Sequence, residues 1–176
     1  PADVHAFQAL VPLVDARRLA RIRRAPVPVS YFAALRESLS NAVIAGSTVI
    51  APIRNAPSPD MVAEVADMLL RLEDARTIVC YGHHQGTIHI SMRAADARGN
   101  LSERMKRVVR RIGTGGGHRS MAGGQVPVVD DVEKRLALVR DRILQVFARN
   151  RSSSRLLPET VPKDAASPPN SETTPT

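Results

Sequence analysis

The sequence has no tryptophan, two tyrosines and three phenylalanines, so only 3% of its 176 residues are aromatic. Single-stranded nucleic acid is tracked by stacking its bases on exposed rings, and a chain this poor in rings is not built for that. An anionic ligand would be held mainly by its phosphates. There is one cysteine, Cys80, which excludes an internal disulfide and a thiolate zinc site and makes a reducing compartment the expectation. No apolar run reaches the roughly 18 residues of a membrane span, and no charged-then-apolar leader opens the sequence. We expect a soluble, cytoplasmic protein with no membrane partner.

Acidic residues are also in deficit: 17 Asp and Glu face 25 Lys and Arg, leaving a net charge of +8. The excess is uneven, with +3 over residues 1–60, −1 over 61–100, +6 over 101–150 and none over 151–176. A concentrated basic block points to a polyanion such as phosphate or nucleic acid. A solvated helix face on an arginine-rich chain would give the same count. With 43% apolar residues the chain can bury a core, so wholesale disorder is excluded.

Spacing and punctuation predict the elements. A basic helix from Asp15 to Arg24 stops at Pro26 and Pro28. Ser30 is placed to cap a second helix with Phe32, Leu35, Leu39 and Ala42 inward, closing near Gly46, and a strand follows over residues 48–53. Ser58-Pro59 opens a helix carrying Met61, Val62, Val65, Met68, Leu69 and Leu72. A hairpin then runs from Thr77 to Arg93, turning over residues 82–86. In its second strand Ile88, Ile90 and Met92 alternate with His89, Ser91 and Arg93, so Ser91 and Arg93 project together from a polar face. Asn100 with Glu103, and Asp130 with Glu133, read as capping pairs for two further helices, with a short strand over residues 125–129 between them. The fold class is α/β: a mixed sheet of about four to five strands covered by helices. Residues 1–28 form a helical connector, 29–150 the domain, and 151–176 a disordered tail rich in Pro, Ser and Thr.

The sharpest feature is residues 113–124, which hold six of the ten glycines around the pair His118-Arg119. Fixing that many glycines is entropically costly. The return we expect is an anion held by successive loop amides, with His118 and Arg119 as side-chain donors. The run follows a helix and so is not a dinucleotide fingerprint, and no Gly-Lys-Ser/Thr follows to make a triphosphate loop. A plain turn between elements is the structural alternative. His83-His84 lacks a carboxylate neighbour and reads as surface, not as metal ligands. Cys80 reads as a small buried hydrophobe. His89 shares the face of Arg93 and could flank a ligand.

The stretch from Gly115-Gly116-Gly117-His118 through Ala122-Gly123-Gly124, with Ile90-Ser91-Met92-Arg93 upstream, resembles the C-terminal DHH-associated domain of the DHH-family phosphoesterases. Ile78-Val79-Cys80-Tyr81-Gly82 and the helix around Ala66-Asp67-Met68 are similar to the elements before that motif, so the resemblance spans roughly residues 15–147. Alanyl-tRNA synthetases have a related domain whose glycine run lacks this histidine. The resemblance implies an enzyme of two parts. An N-terminal part with aspartates and an Asp-His-His motif holds manganese and hydrolyses phosphoesters; this domain binds the substrate phosphate across the cleft. Substrates so implied are nucleotides, short oligonucleotides and polyphosphate, which makes the family exopolyphosphatase-like or oligoribonuclease-like. The implied binding residues are Arg93, Gly115, Gly116, Gly117, His118, Arg119, Ser120 and Gly123. No catalytic or metal-binding residue is expected in this chain, which alone should bind but not hydrolyse. Its expected partners are the phosphate ligand and the catalytic domain, in cis or as a separate chain; a homo-oligomer is left open. The competing reading is a freestanding nucleotide- or nucleic-acid-binding module in which the basic helix from Leu101 to Arg111 supplies the affinity.

Overall fold

A computed structural model describes residues 2–23, 26–148 and 153–156. Two helices, α1 (Ala2–Leu10) and α2 (Ala16–Arg23), precede the body, and Phe7, Leu10, Leu13 and Leu19 there are exposed. The body runs α3 (Val29–Asn41), β1 (Val43–Ala45), β2 (Thr48–Asn55), α4 (Pro59–Leu69), β3 (Thr77–His84) and β4 (Thr87–Ala94). It continues with α5 (Leu101–Val109), β5 (Thr114–Gly117), β6 (Met121–Pro127), α6 (Val132–Phe147) and β7 (Ser153–Arg155). No described helix is long and apolar enough to cross a membrane.

The strands form one mixed sheet in the order β5-β6-β4-β3-β2-β1-β7. Among the described strands only β2 and β3 are parallel, joined by the α4 crossover; the other pairs are antiparallel. Period-two alternation divides the core. Val49, Ala51, Ile53, Ile78 and Cys80 pack under α3 and α4 with Met61, Val62, Val65 and Leu69. Ile50, Val79, Tyr81, Ile88, Ile90 and Met92 face the other way, under α5 and α6. Strands β2 and β3 are buried on both faces and read as continuous apolar runs, whereas β4 alternates because the α4 layer leaves part of its face bare.

The α/β class stands, but the sheet has seven strands where about four to five were expected. The additional strands are short or glycine-built, and hydrophobic periodicity does not register them. Helix α3 ends at Asn41, and Val43–Ala45 turns back on β2 through Gly46, whose φ is 64°. Ser30 lies inside the first turn of α3 behind Pro28, which makes no side-chain cap, and Phe32 is 57% exposed while Ala34 and Ser38 are buried. The glycine run expected as a loop is the edge strand β5, and β6 begins at Met121, earlier than residue 125. The hairpin turn is only Gln85-Gly86, so His83 and His84 sit at the end of β3. Of the tail, Ser153–Arg155 forms β7 against β1; residues 157–176, expected to be disordered, lie outside the described residues.

Two expected caps also move. Asp131, not Asp130, caps α6, accepting from the Lys134 amide at 2.8 Å. Asn100 makes no side-chain cap on α5; Arg119 and His118 supply carbonyls to the Leu101 and Ser102 amides at 2.9 and 3.1 Å instead. The Ser58 cap holds as read, its Oγ accepting from the Met61 amide at 3.3 Å. Ser58→Ala is expected to cost about 1 kcal/mol and lower Tm by about 2–4 °C. Thermal denaturation followed by circular dichroism checks this, and an unchanged Tm would show that the cap contributes nothing.

Candidate functional site

Two faces of the glycine hairpin do different work. A Cβ on Gly115 would stand 2.8 Å from Met105 Cγ, and one on Gly124 would stand 2.6 Å from Met105 Sδ. Glycine there lets α5 lie close on the sheet. On the opposite face Gly116 pairs with Gly123, where a Cβ would meet nothing within 4 Å on Gly116 and only Ile90 O at 3.9 Å on Gly123. Packing does not require glycine at these two positions.

Register carries that bare row onto β4. Gly123 lies opposite Ser91, Met121 opposite Arg93 and Gln125 opposite His89. The result is an open groove of about 640 Å³ between the start of α4, with Pro59, Asp60, Val62 and Ala63, and the β4-β6-β5 surface, with Ser91, Arg93, Thr114 and Gly123. The groove lies where α4 stops covering the sheet.

Of the residues chosen from sequence, Arg93, Gly115 and Gly123 line this groove, and Gly116 adjoins it across from Gly123. His118, Arg119 and Ser120 form the exposed tip of the hairpin, at the Arg93 end of the groove but outside its lining. Their carbonyls fix the tip: His118 O accepts from Ser102, Arg119 O from Leu101 and Ser120 O from Ala94 at 2.8 Å. The imidazole of His118 has no hydrogen-bonding partner among the described residues.

The expected nest of successive amides is not what the hairpin makes. The His118 amide donates to Met121 O at 2.7 Å, so His118 and Met121 form a hydrogen-bonded antiparallel pair. Strict alternation then bonds Gly116 to Gly123 and leaves Gly115 and Gly117 with amides on the outer edge. Alternate edge amides, not consecutive loop amides, are what this strand offers.

Arg93 is held closely. Its Nε donates to Asp67 Oδ1 at 2.5 Å and Nη2 to Oδ2 at 3.4 Å, while Nη1 donates to Ser91 Oγ at 2.8 Å and to Met92 O at 3.2 Å. Sequence reading paired Ser91 with Arg93 but missed Asp67, because an acid on a helix surface carries no local signal and only the crossover brings α4 beside β4. Asp60 was missed for the same reason, and Thr114 and Gln125 because only the pairing of β5 and β6 beside β4 brings them to the groove.

Burial, and then the neighbouring His84 and His83, push the His89 pKa down against an opposing pull from Asp60. His84 stands 6.4 Å from His89, ring to ring. Burial pushes the Cys80 thiol up and keeps it protonated, the nearby Arg93 charge opposing only in part. Among the described residues no three His, Cys, Asp or Glu come together as a metal-binding group.

A second cleft, about 390 Å³, opens on the opposite face where α6 stops covering the sheet. Arg54 there spans Glu37 at 3.8 Å and Glu133 at 3.2 Å, and buried Tyr81 on the floor is pushed up to about 12 by desolvation. None of the residues chosen from sequence line it.

A mixed sheet between two helical layers, with a glycine hairpin bordering an open groove on one face, is thus the class of domain present. The chain belongs to the DHHA1 domain family, whose model matches residues 45–145. A relative in Methanocaldococcus jannaschii, an uncharacterized protein, is 29% identical over 147 residues, covering 80% of this chain and 30% of that protein. The chain therefore spans under a third of that relative. An exopolyphosphatase-related protein from Bacteroides fragilis matches in structure with a TM-score of 0.55 at 12% identity, over 82% of this chain and 44% of that one. The C-Ala domain of Aquifex aeolicus alanyl-tRNA synthetase aligns at a TM-score of 0.45 and 17% identity, over 58% of this chain and 96% of that domain.

The two glycine roles separate experimentally. Gly117 has φ 149° and a Cβ there would stand 2.3 Å from Met121 O, so Gly117→Ala is expected to cost about 2–4 kcal/mol and lower Tm visibly. Gly116→Ala should leave stability within about 0.5 kcal/mol. Equal melting of the two variants would contradict this division of the hairpin.

Proposed function

We propose that the groove binds the terminal phosphate of a nucleotide or short oligonucleotide, making this chain the substrate-binding part of a DHH-type phosphoesterase. The observation that carries the reading is the bare Gly116–Gly123 row, which needs no glycine for packing and runs from beside Ser91 out onto the edge strand. Backbone left uncovered by side chains lets a phosphate come within hydrogen-bond distance of edge amides. Arg93 would supply the cation, His118 at the tip a ring donor, and Gly115 and Gly117 their outward amides; Arg119 and Ser120 would close over the end. Binding of this kind orients the ester beside a catalytic group and leaves bond breaking to that group.

The hydrolytic part would be an N-terminal DHH domain, in cis or as a separate chain. Manganese, on this reading, would be held by that part. The family match and the fold shared with an exopolyphosphatase-related protein support the reading and keep polyphosphate among the candidate substrates.

The exposed cations on and just after α5, Lys106, Arg107 and Arg110, favour the alternative of a freestanding binding surface. Titration with fluorescent 5′-phosphorylated diadenylate decides between them. His118→Ala is expected to weaken binding at least about tenfold, with a shallow dependence on salt. Unchanged binding by that variant, with a steep salt slope, would overturn the groove and place affinity on the basic surface.

A further inference from the structure

Arg93 is the cation that lines the groove, yet its guanidinium is already engaged. The side chain is 11% exposed and its three nitrogens donate to Asp67, Ser91 Oγ and Met92 O. Asp67 differs in kind: it projects from α4 and is 58% exposed. Asp67 stands outside the groove's lining and, from the α4 side, holds the Nε and Nη2 donors that a phosphate in the groove would need. Ser91 and the Met92 carbonyl hold one nitrogen from within the sheet and need not move.

We propose that Asp67 is a built-in competitor for the phosphate, an internal anion that occupies Arg93 in the free protein and yields to the ligand. The inference rests on the reading that Arg93 holds a phosphate. Its chemistry is anion exchange: the Nε and Nη2 bonds pass from carboxylate to phosphate oxygens while the Nη1 bonds stay. The exposed carboxylate regains water, so the exchange is cheap, but it sets a threshold. A small anion that gains only the Arg93 contact replaces one ion pair by another of similar strength. A phosphate attached to a nucleoside also gains the glycine edge and the groove walls, and so displaces Asp67. Asp67 is accordingly a positioning residue that keeps Arg93 in the bound orientation and biases the site against free anions.

Asp67→Asn keeps an oxygen that accepts from Arg93 Nε and removes the competing charge. With 5′-phosphorylated diadenylate, the expected result is affinity raised about threefold to tenfold, and no such gain when Asp67→Asn is made in an Arg93→Ala background. A purely structural ion pair would lower Tm and leave affinity unchanged or reduced. Affinity unchanged or lower in Asp67→Asn, while the parent binds through Arg93, overturns the inference and leaves the proposed function standing. A gain that survives in the Arg93→Ala background overturns it too, since Asp67 would then act elsewhere. Absence of binding by the parent and by every variant overturns both.

Discussion

The close approach of α5 to the β5–β6 hairpin is the constraint on which the groove depends. Met105 fills the space that side chains at 115 and 124 would need, so those two positions of the hairpin call for glycine. The Leu101 and Ser102 amides then tie the first turn of α5 to the carbonyls of Arg119 and His118. Helix and hairpin tip are therefore tied together, and the start of the helix finds its acceptors in the motif itself and not in a side-chain cap. With one face spent on packing, the other is bare at Gly116 and Gly123, and the strand pleat makes the separation complete.

The same pleat explains why the chemistry collects on one side of the sheet. Ile88, Ile90 and Met92 are committed to the layer under α5 and α6, which sends His89, Ser91 and Arg93 to the opposite face. The parallel crossover from β2 to β3 lays α4 over the middle of that face and stops short of β6 and β5. Arg93 lies at the boundary, buried enough by α4 to be held by Asp67 and open enough to line the groove. Placement of a cation at the border of a covered and an uncovered sheet raises its worth to an anion, because water screens it less there than on the surface.

Much of this was legible in the sequence because it is periodic. The α4 stripe, the β4 alternation and the α5 stripe of Leu101, Met105, Val108 and Val109 are burial patterns, and burial is what fixes those elements. What escaped was non-periodic. Val43–Ala45 is too short to show a period despite its β-branched residues, and the glycines of β5 gain strand geometry only from the partner they pair with, so pattern marks neither. The tip read as an anion nest because dense glycine resembles one; the structure converts it to a ladder with alternate amides turned out. Asp67 was invisible because its partner is 26 residues away, and such pairings are settled by topology.

The most direct test of the groove is a backbone amide spectrum of the 15N-labelled chain titrated with 5′-phosphorylated diadenylate. The largest shifts should fall on Gly115 to Ser120, on Ser91 and Arg93, and on Gly123, with α6 and β1 unmoved. Shifts concentrated instead on Arg104 to Arg111 of the α5 face, or in the cleft around Tyr81 and Arg140, would contradict a phosphate site on the glycine hairpin.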